Sequence, residues 1–258
     1  MTDRPRVLVT NDDGIESVGV RTLARALASE FDVILAAPNS DRSGSGTGIG
    51  GLDLDAGVEL TPVDVPGVEA YSIDGPPGLA VTAAALGAFG TLPRLVFSGI
   101  NAGINTGHSI IHSGTVGAAL TANTFKMKGV AISLAQSDPW HWETAAEYAA
   151  PVARWILAHE SPKVLNVNIP GVPPDKVVGV HWADLDEFGY IRVATADVED
   201  RRLQFVVGSE TSKSDPGTDT VLCSENHVTL TPLRSVEPAP FPSVAAHEIA
   251  IRESIVSG

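Results

Sequence analysis

Val7-Leu8-Val9-Thr10-Asn11-Asp12-Asp13-Gly14 decides how this chain is read. A short β-branched run that stops at Asp-Asp-Gly has the pattern of a buried strand delivering acids to its carboxyl end. Open parallel α/β sheets bind ligands in the crevice beyond those ends. Two adjacent carboxylates there repel each other unless a proton or a cation lies between them. A hard divalent ion is the natural third party, because it prefers oxygen ligands. The competing reading is ordinary Asx-Gly turn chemistry, with an aspartate capping the following helix.

Outward from this strand the chain alternates strand and helix. The spacing predicts a helix over 18–29, with Val20, Leu23, Ala24 and Leu27 on one face, and a strand over 32–36 ended by Pro38. The run Ser43-Gly44-Ser45-Gly46-Thr47-Gly48-Ile49-Gly50-Gly51 is too rich in glycine for a helix or a central strand and reads as a mobile loop, a candidate flap. Short strands are expected over 58–65 and 69–73 around Pro66-Gly67, then a helix over 77–88 and a strand over 94–99. A helix over 115–124, a strand over 130–134, a helix over 142–159 and a strand over 163–168 follow. This rhythm predicts an α/β fold with a parallel sheet and helices on both faces.

After about Pro170 the rhythm changes. Strands are expected over 177–182, 190–194, 203–207 and 227–231 without long helices between them. They suggest a smaller, partly antiparallel region that contributes hairpins to an oligomer interface. Val236 to Pro242 reads as extended and Ser243 to Val256 as a terminal helix.

At 258 residues and 43% hydrophobic content, the chain suits one large packed α/β unit. A net charge of −14 excludes a general surface for nucleic-acid polymers or anionic membranes. It leaves room for a small phosphorylated substrate, provided a metal reverses the local field. The start has no signal-peptide pattern, and the most apolar stretch, 79–92, is too short to span a bilayer. The lone Cys223 fits inert packing in a reducing cytoplasm. Trp140, His141 and Trp142 read as packing or a subunit contact rather than a platform for a base.

The second informative stretch is Ser98-Gly99-Ile100-Asn101-Ala102-Gly103-Ile104-Asn105-Thr106-Gly107, leading through His112-Ser113-Gly114-Thr115 into an alanine-rich helix. Small residues let backbone amides approach a ligand, and Ser113 and Thr115 sit at a helix start suited to phosphate. Asn101 and Asn105 can offer an oxygen to a metal or an N–H to a phosphate. Ordinary serine and threonine capping is the alternative. Both motifs lie at carboxyl ends of expected parallel strands, so both can face one crevice.

These motifs, together with Ala37-Pro38, Asp41-Arg42-Ser43-Gly44, Asp74-Gly75, Thr218-Asp219 and Thr231-Pro232-Leu233, resemble the SurE survival-protein family of nucleotidases. The resemblance implies a Rossmann-like fold, a single domain over 1–258 with a catalytic core over 1–170 and a hairpin and oligomerisation region over 171–258. It implies a phosphatase of nucleoside 5′/3′-monophosphates in the cytoplasm, acting as a homodimer or homotetramer. Carried onto this sequence, the metal ligands are Asp12, Asp13, Ser43 and Asn101, holding one divalent cation per subunit, Mg²⁺ or Mn²⁺. Asp12 and Asp13 are the catalytic pair. Gly44, Asn105, Ser113, Gly114 and Thr115 surround the phosphate, and Asn11 orients the acids. Water is favoured over an aspartate as the attacking group.

The chain departs from the family at several positions. Val18 stands where proline is common, and His108-Ser109 replaces an acidic stretch. His112 stands where tyrosine is usual, Pro76, Leu79 and Ala80 replace the usual residues after Asp-Gly, and Thr121 occupies a commonly acidic position. None removes a proposed ligand. Several lie near the expected crevice, so a phosphatase for a non-nucleotide metabolite and a non-catalytic nucleotide binder stay open as alternatives. His108 and His112 are candidates for a general acid or a specificity contact.

Overall fold

The strand Arg6–Thr10 (β1) is buried on both faces, and the alternation of its side chains assigns a helical layer to each. The computed structural model describes residues 4–51, 55–187, 193–199, 202–207 and 215–237. After β1 come α1 (Val18–Ala28), β2 (Asp32–Pro38), β3 (Leu60–Pro62), β4 (Glu69–Ile73) and α2 (Pro77–Ala85). Then follow β5 (Leu95–Ala102), α3 (Gly114–Thr124), β6 (Lys128–Leu134), α4 (Trp142–Ala158) and β7 (Val164–Ile169). The chain continues with β8 (Gly179–Trp182), β9 (Val193–Glu199), β10 (Arg202–Val207), α5 (Asp219–Ser224) and β11 (His227–Leu233).

Nine strands form one mixed sheet in the order β3-β4-β2-β1-β5-β6-β7-β11-β8. The six from β4 to β7 are parallel neighbours, as the strand–helix rhythm predicts. Val7, Val9, Leu35 and Phe97 pack beneath α1 and α4 on one face, while Leu8, Ile34, Ala36 and Val96 pack against α2 and α3 on the other. Because successive residues of a strand point to opposite faces, a continuous apolar run is what a sheet covered twice requires. The chain leaves β1 for β2 on one side and returns for β5 on the other. The crevice between β1 and β5 is therefore the topological switch point, where such sheets bind ligands.

Element bounds shift in ways with local causes. β5 runs on to Ala102 through a register irregularity between Ser98 and Asn101 on its pairing with β6, so Asn101 sits on the strand itself rather than in a following loop. α2 ends at Ala85, ahead of Gly87 at φ +89°, a backbone conformation that favours glycine and stops a helix. Of the expected 58–65 strand, Leu60–Pro62 pairs antiparallel to β4 at the sheet edge and Val65 bridges to Val68.

The C-terminal region differs most from expectation. β11 inserts antiparallel to β7, and β8 adds parallel to β11, so both extend the main sheet rather than a separate one. Val228 and Thr229 are fully buried, which is why β11 takes a place inside the sheet. β9 and β10 make the expected hairpin, with a strand at Val193–Glu199 rather than 190–194. The strand start at 190–192, the extended segment beyond Glu237 and the terminal helix over 243–256 lie outside the described residues. No helix among the described residues is long and apolar enough to cross a membrane.

Candidate active site

Three adjacent strands, β2, β1 and β5, end at one crevice and deliver the residues singled out by sequence. Loop backbones beyond the strands are stitched together: Ile15 N donates to Pro38 O at 2.8 Å and Arg42 N to Asp12 O at 2.7 Å. Asp12, Ser43, Gly44, Asn101, Asn105 and Ser113 line a cavity of about 300 Å³, together with His112 and Ser109.

Asp12 is buried at the start of α3. The Thr115 hydroxyl donates to Asp12 Oδ1 and lies 3.1 Å from Asn101 Oδ1. Three oxygens thus crowd together around a single hydroxyl proton. Burial raises the Asp12 pKa, opposed by the Thr115 hydroxyl and by amides of the first turn of α3. Asp13 receives one long bond, from Ala102 N to its Oδ2 at 3.4 Å. Burial and the charge of Asp12 push its pKa up to about 6, with a smaller push from Asp41. Among the described residues no cationic side chain offsets either charge.

Local backbone explains two glycines. A Cβ on Gly114 would stand 2.7 Å from Asp12 Oδ2 and 2.5 Å from Ser45 Oγ, so glycine lets α3 approach the acid. A Cβ on Gly117 would meet Gly46 O at 1.9 Å. The glycine loop, expected to be a free flap, is thus laid against α3 along its first half, where Gly46 N also donates to His112 O at 3.1 Å.

The other expected residues find distinct surroundings. Ser43 donates to Asp41 Oδ1 through both hydroxyl (2.6 Å) and amide (2.7 Å), which holds its oxygen at the crevice and lowers the Asp41 pKa. Asn11 donates to Ser17 Oγ at 2.8 Å, tying the acidic loop to the cap of α1. Ser113 caps α3, its hydroxyl accepting from Val116 N at 3.2 Å. Thr115 is fully buried, so its hydroxyl serves Asp12 and Asn101 rather than facing the cavity. Arg42 is held by Asp74 at 2.8 Å, an ion pair at the rim. Trp140 and Trp142 stack on each other at 5.0 Å and pack on the core beside α1. Val18 opens α1 exposed to solvent, a position that demands no particular side chain.

Sequence reading missed Ser133, Asn166 and Asn168 and gave no role to Asp219 within its Thr218-Asp219 match; all four are fully buried. Asn166 and Asn168 alternate within Val164-Leu165-Asn166-Val167-Asn168-Ile169. Two amides on one face of an otherwise apolar strand are the signal that could have found them. Asp219 accepts from the amides of Gly107 (3.0 Å), Asp186 (3.0 Å) and Thr220 (2.9 Å), fastening α5 to the segment after Asn105. Cys223 is buried beside it, its thiol pushed up to about 12 by burial and the Asp219 charge, which fits inert packing.

Among the described residues no group of three His, Cys, Asp or Glu could hold a metal. A cation at the Asp pair would therefore need hydroxyl and amide oxygens to complete its ligands. The donor set Asp12, Asp13, Ser43 and Asn101 is all oxygen, which fits a hard divalent ion and not a thiophilic one.

Comparison with known proteins agrees with this fold. The family model described as Survival protein SurE matches residues 7–191. A 5′-nucleotidase SurE of Methylococcus capsulatus is 36% identical over 234 residues, covering 88% of this chain and 90% of that relative. The 5′-nucleotidase SurE of Aeromonas hydrophila is 34% identical over 237 residues, covering 88% and 91%. The crystal structure of the SurE protein from Aquifex aeolicus superposes with a TM-score of 0.76 at 26% identity, covering 89% of this chain and 93% of that one.

Proposed function

Since the chain belongs to the SurE survival-protein family, we propose that it is a metal-dependent phosphomonoesterase that hydrolyses nucleoside monophosphates to nucleoside and phosphate. The observation that carries the reading is buried Asp12 on the wall of a cavity at the sheet's switch point, with half-buried Asp13 beside it and, among the described residues, no cationic side chain against either. The names of the relatives do not favour the two alternatives, a non-nucleotide phosphatase and a non-catalytic binder.

In this reading Asp12, Asp13, Ser43 and Asn101 hold one divalent cation, Mg²⁺ or Mn²⁺. When bound, it neutralises phosphoryl charge and lowers the pKa of water at the site. The Thr115 hydroxyl fixes one oxygen of Asp12, and Asn11 fixes the loop that carries both acids. Gly44, Asn105, Ser113 and Gly114 hold the phosphate oxygens. Water is the attacking group, and both 5′- and 3′-monophosphates are accepted. His112, on the cavity wall, contacts the nucleoside side of the substrate.

Assembly into homodimers or homotetramers and residence in the cytoplasm belong to the same reading. Exposed Val178, Val180 and Trp182 along and beside the edge strand β8 support assembly. Steady-state assay of the purified protein on nucleoside 5′- and 3′-monophosphates and on p-nitrophenyl phosphate tests the reading. Turnover of the nucleotides supports it. Turnover of the generic ester alone selects a non-nucleotide phosphatase.

A further inference from the structure

We propose that Asn168, seconded by Asn166 and Ser133, is a positioning residue that holds Asn105 in place to grip phosphate. The proposal rests on the reading of Asn105 as a phosphate-binding residue. Asn168 and Asn166 lie on β7 and Ser133 on β6, with Ser133 directly opposite Asn168 in the parallel register. All three are fully buried, in strands whose other residues are mostly apolar.

Their partners explain why polar side chains occupy these positions. The side-chain amide of Asn168 meets both backbone groups of one residue: it accepts from Asn105 N at 2.8 Å and donates to Asn105 O at 2.9 Å. Asn166 donates to the same carbonyl at 2.9 Å, filling its second lone pair. The side chain of Asn105 then donates to Ser133 Oγ at 2.9 Å. One loop residue on the cavity wall is thereby fastened at its amide, its carbonyl and its side chain, leaving the second N–H of its amide group for a ligand. Burying two amides on a central strand costs stability unless each is hydrogen-bonded, and apolar residues would fill the same space without that demand. Here the bonds all converge on a residue of the proposed phosphate wall. Asp219 fastens the same segment two residues on, at Gly107.

Fixing a ligand group before the ligand arrives removes an ordering cost from binding. The consequence is specific: releasing Asn105 weakens phosphate binding and leaves the metal site, built from other residues, intact. Asn168→Ala removes both contacts, Asn168→Asp keeps the acceptor for Asn105 N, and Asn166→Ala leaves the Asn168 contact to the carbonyl.

The test combines residue-level amide exchange with kinetics at saturating Mn²⁺. In Asn168→Ala, exchange at the Asn105 amide accelerates about tenfold or more. KM for a nucleoside 5′-monophosphate and the inhibition constant of inorganic phosphate rise together, between about tenfold and about a hundredfold. Mn²⁺ affinity stays within about twofold, since that site loses no oxygen. Asn168→Asp, which keeps the acceptor for Asn105 N but sets an oxygen against Asn105 O, restores part of the amide protection, and Asn166→Ala shifts KM by less than about threefold because one donor remains. Unchanged KM and phosphate inhibition in Asn168→Ala would overturn the proposal. So would loss of Mn²⁺ affinity in step with phosphate affinity, which marks a general structural role. Wild-type protein that neither hydrolyses monophosphates nor binds inorganic phosphate removes the functional reading and this proposal with it, and that failure is seen before any substitution is made.

Discussion

Asp13 and Asp219 are both carboxylates withdrawn from water, and their surroundings are opposite. Asp219, fully buried at the start of α5, accepts from three backbone amides drawn from three stretches of chain. Asp13, beyond the end of β1, receives one amide at 3.4 Å and faces the charges of Asp12 and Asp41. Burial raises the pKa of both, yet at Asp219 three backbone hydrogen bonds oppose the rise and outweigh the Asp186 charge, while at Asp13 the Asp12 charge adds to it and outweighs the single Ala102 bond. A carboxylate supplied with donors holds a fold together; a carboxylate supplied with repulsion is waiting for a ligand. Under the proposed function, the difference separates a structural acid from one that holds a ligand.

Substitutions on the two sides should therefore fail differently. The largest effect is expected at the acid pair: Asp12→Asn lowers nucleotide turnover by more than about a hundredfold, with the circular-dichroism spectrum unchanged. Close behind, Gly114→Ala drives a methyl against Asp12 Oδ2 and Ser45 Oγ. Its activity falls about tenfold or more, at a stability cost of about 1–3 kcal/mol read from urea unfolding. At the structural acid the order reverses. Asp219→Asn places an N–H where amides donate, costing about 1–3 kcal/mol of stability. Equal losses of activity and stability at both sites would erase the distinction.

A smaller effect follows from pH. The folded pKa of Asp13, about 6, lies above its ordinary value of 3.8, so the folded state holds this proton more tightly than the unfolded chain does. In EDTA-treated protein that stabilisation is present at acid pH and is lost as pH rises through about 6. Thermal unfolding across this range should show the decline, and Asp13→Asn should lessen it, the rest coming from Asp12 and Asp219, which are raised in the same direction. Since a cation competes with the same proton, Mn²⁺ affinity should fall as pH drops below about 6. The smallest effect is expected at the rim. Asp74→Ala removes the exposed Arg42 pair and costs less than about 1 kcal/mol.

What sequence could show followed from regular periods. The buried runs at Val7–Val9, Ile34–Ala36 and Leu95–Phe97 announce a sheet covered on both faces, and serine with glycine at 113–114 announces a capped helix start. Asp12, Ser43 and Asn101 were legible as oxygen donors, and the structure brings them to one cavity. The rest depends on contacts between distant parts of the chain. The insertion of β11 beside β7 joins Thr229 to Asn168, 61 positions apart by their numbers, and nothing local requires it. Nor could the sequence distinguish a thin flap from the loop pinned by Gly46 against Gly117. Thr115 illustrates the same limit. A threonine at a helix start can face solvent or the acid behind it, and only the fold chooses.

The central claim is that the Asp12–Asp13 pair works as a cation site that drives phosphomonoester hydrolysis. It is tested most directly by assaying a nucleoside 5′-monophosphate with Mn²⁺, with excess EDTA, and with Mn²⁺ restored, on wild-type and Asp12→Asn protein. The account predicts turnover that EDTA abolishes and Mn²⁺ restores in the wild type, and almost none in the variant under any condition. Turnover that persists both in EDTA and in Asp12→Asn would contradict it.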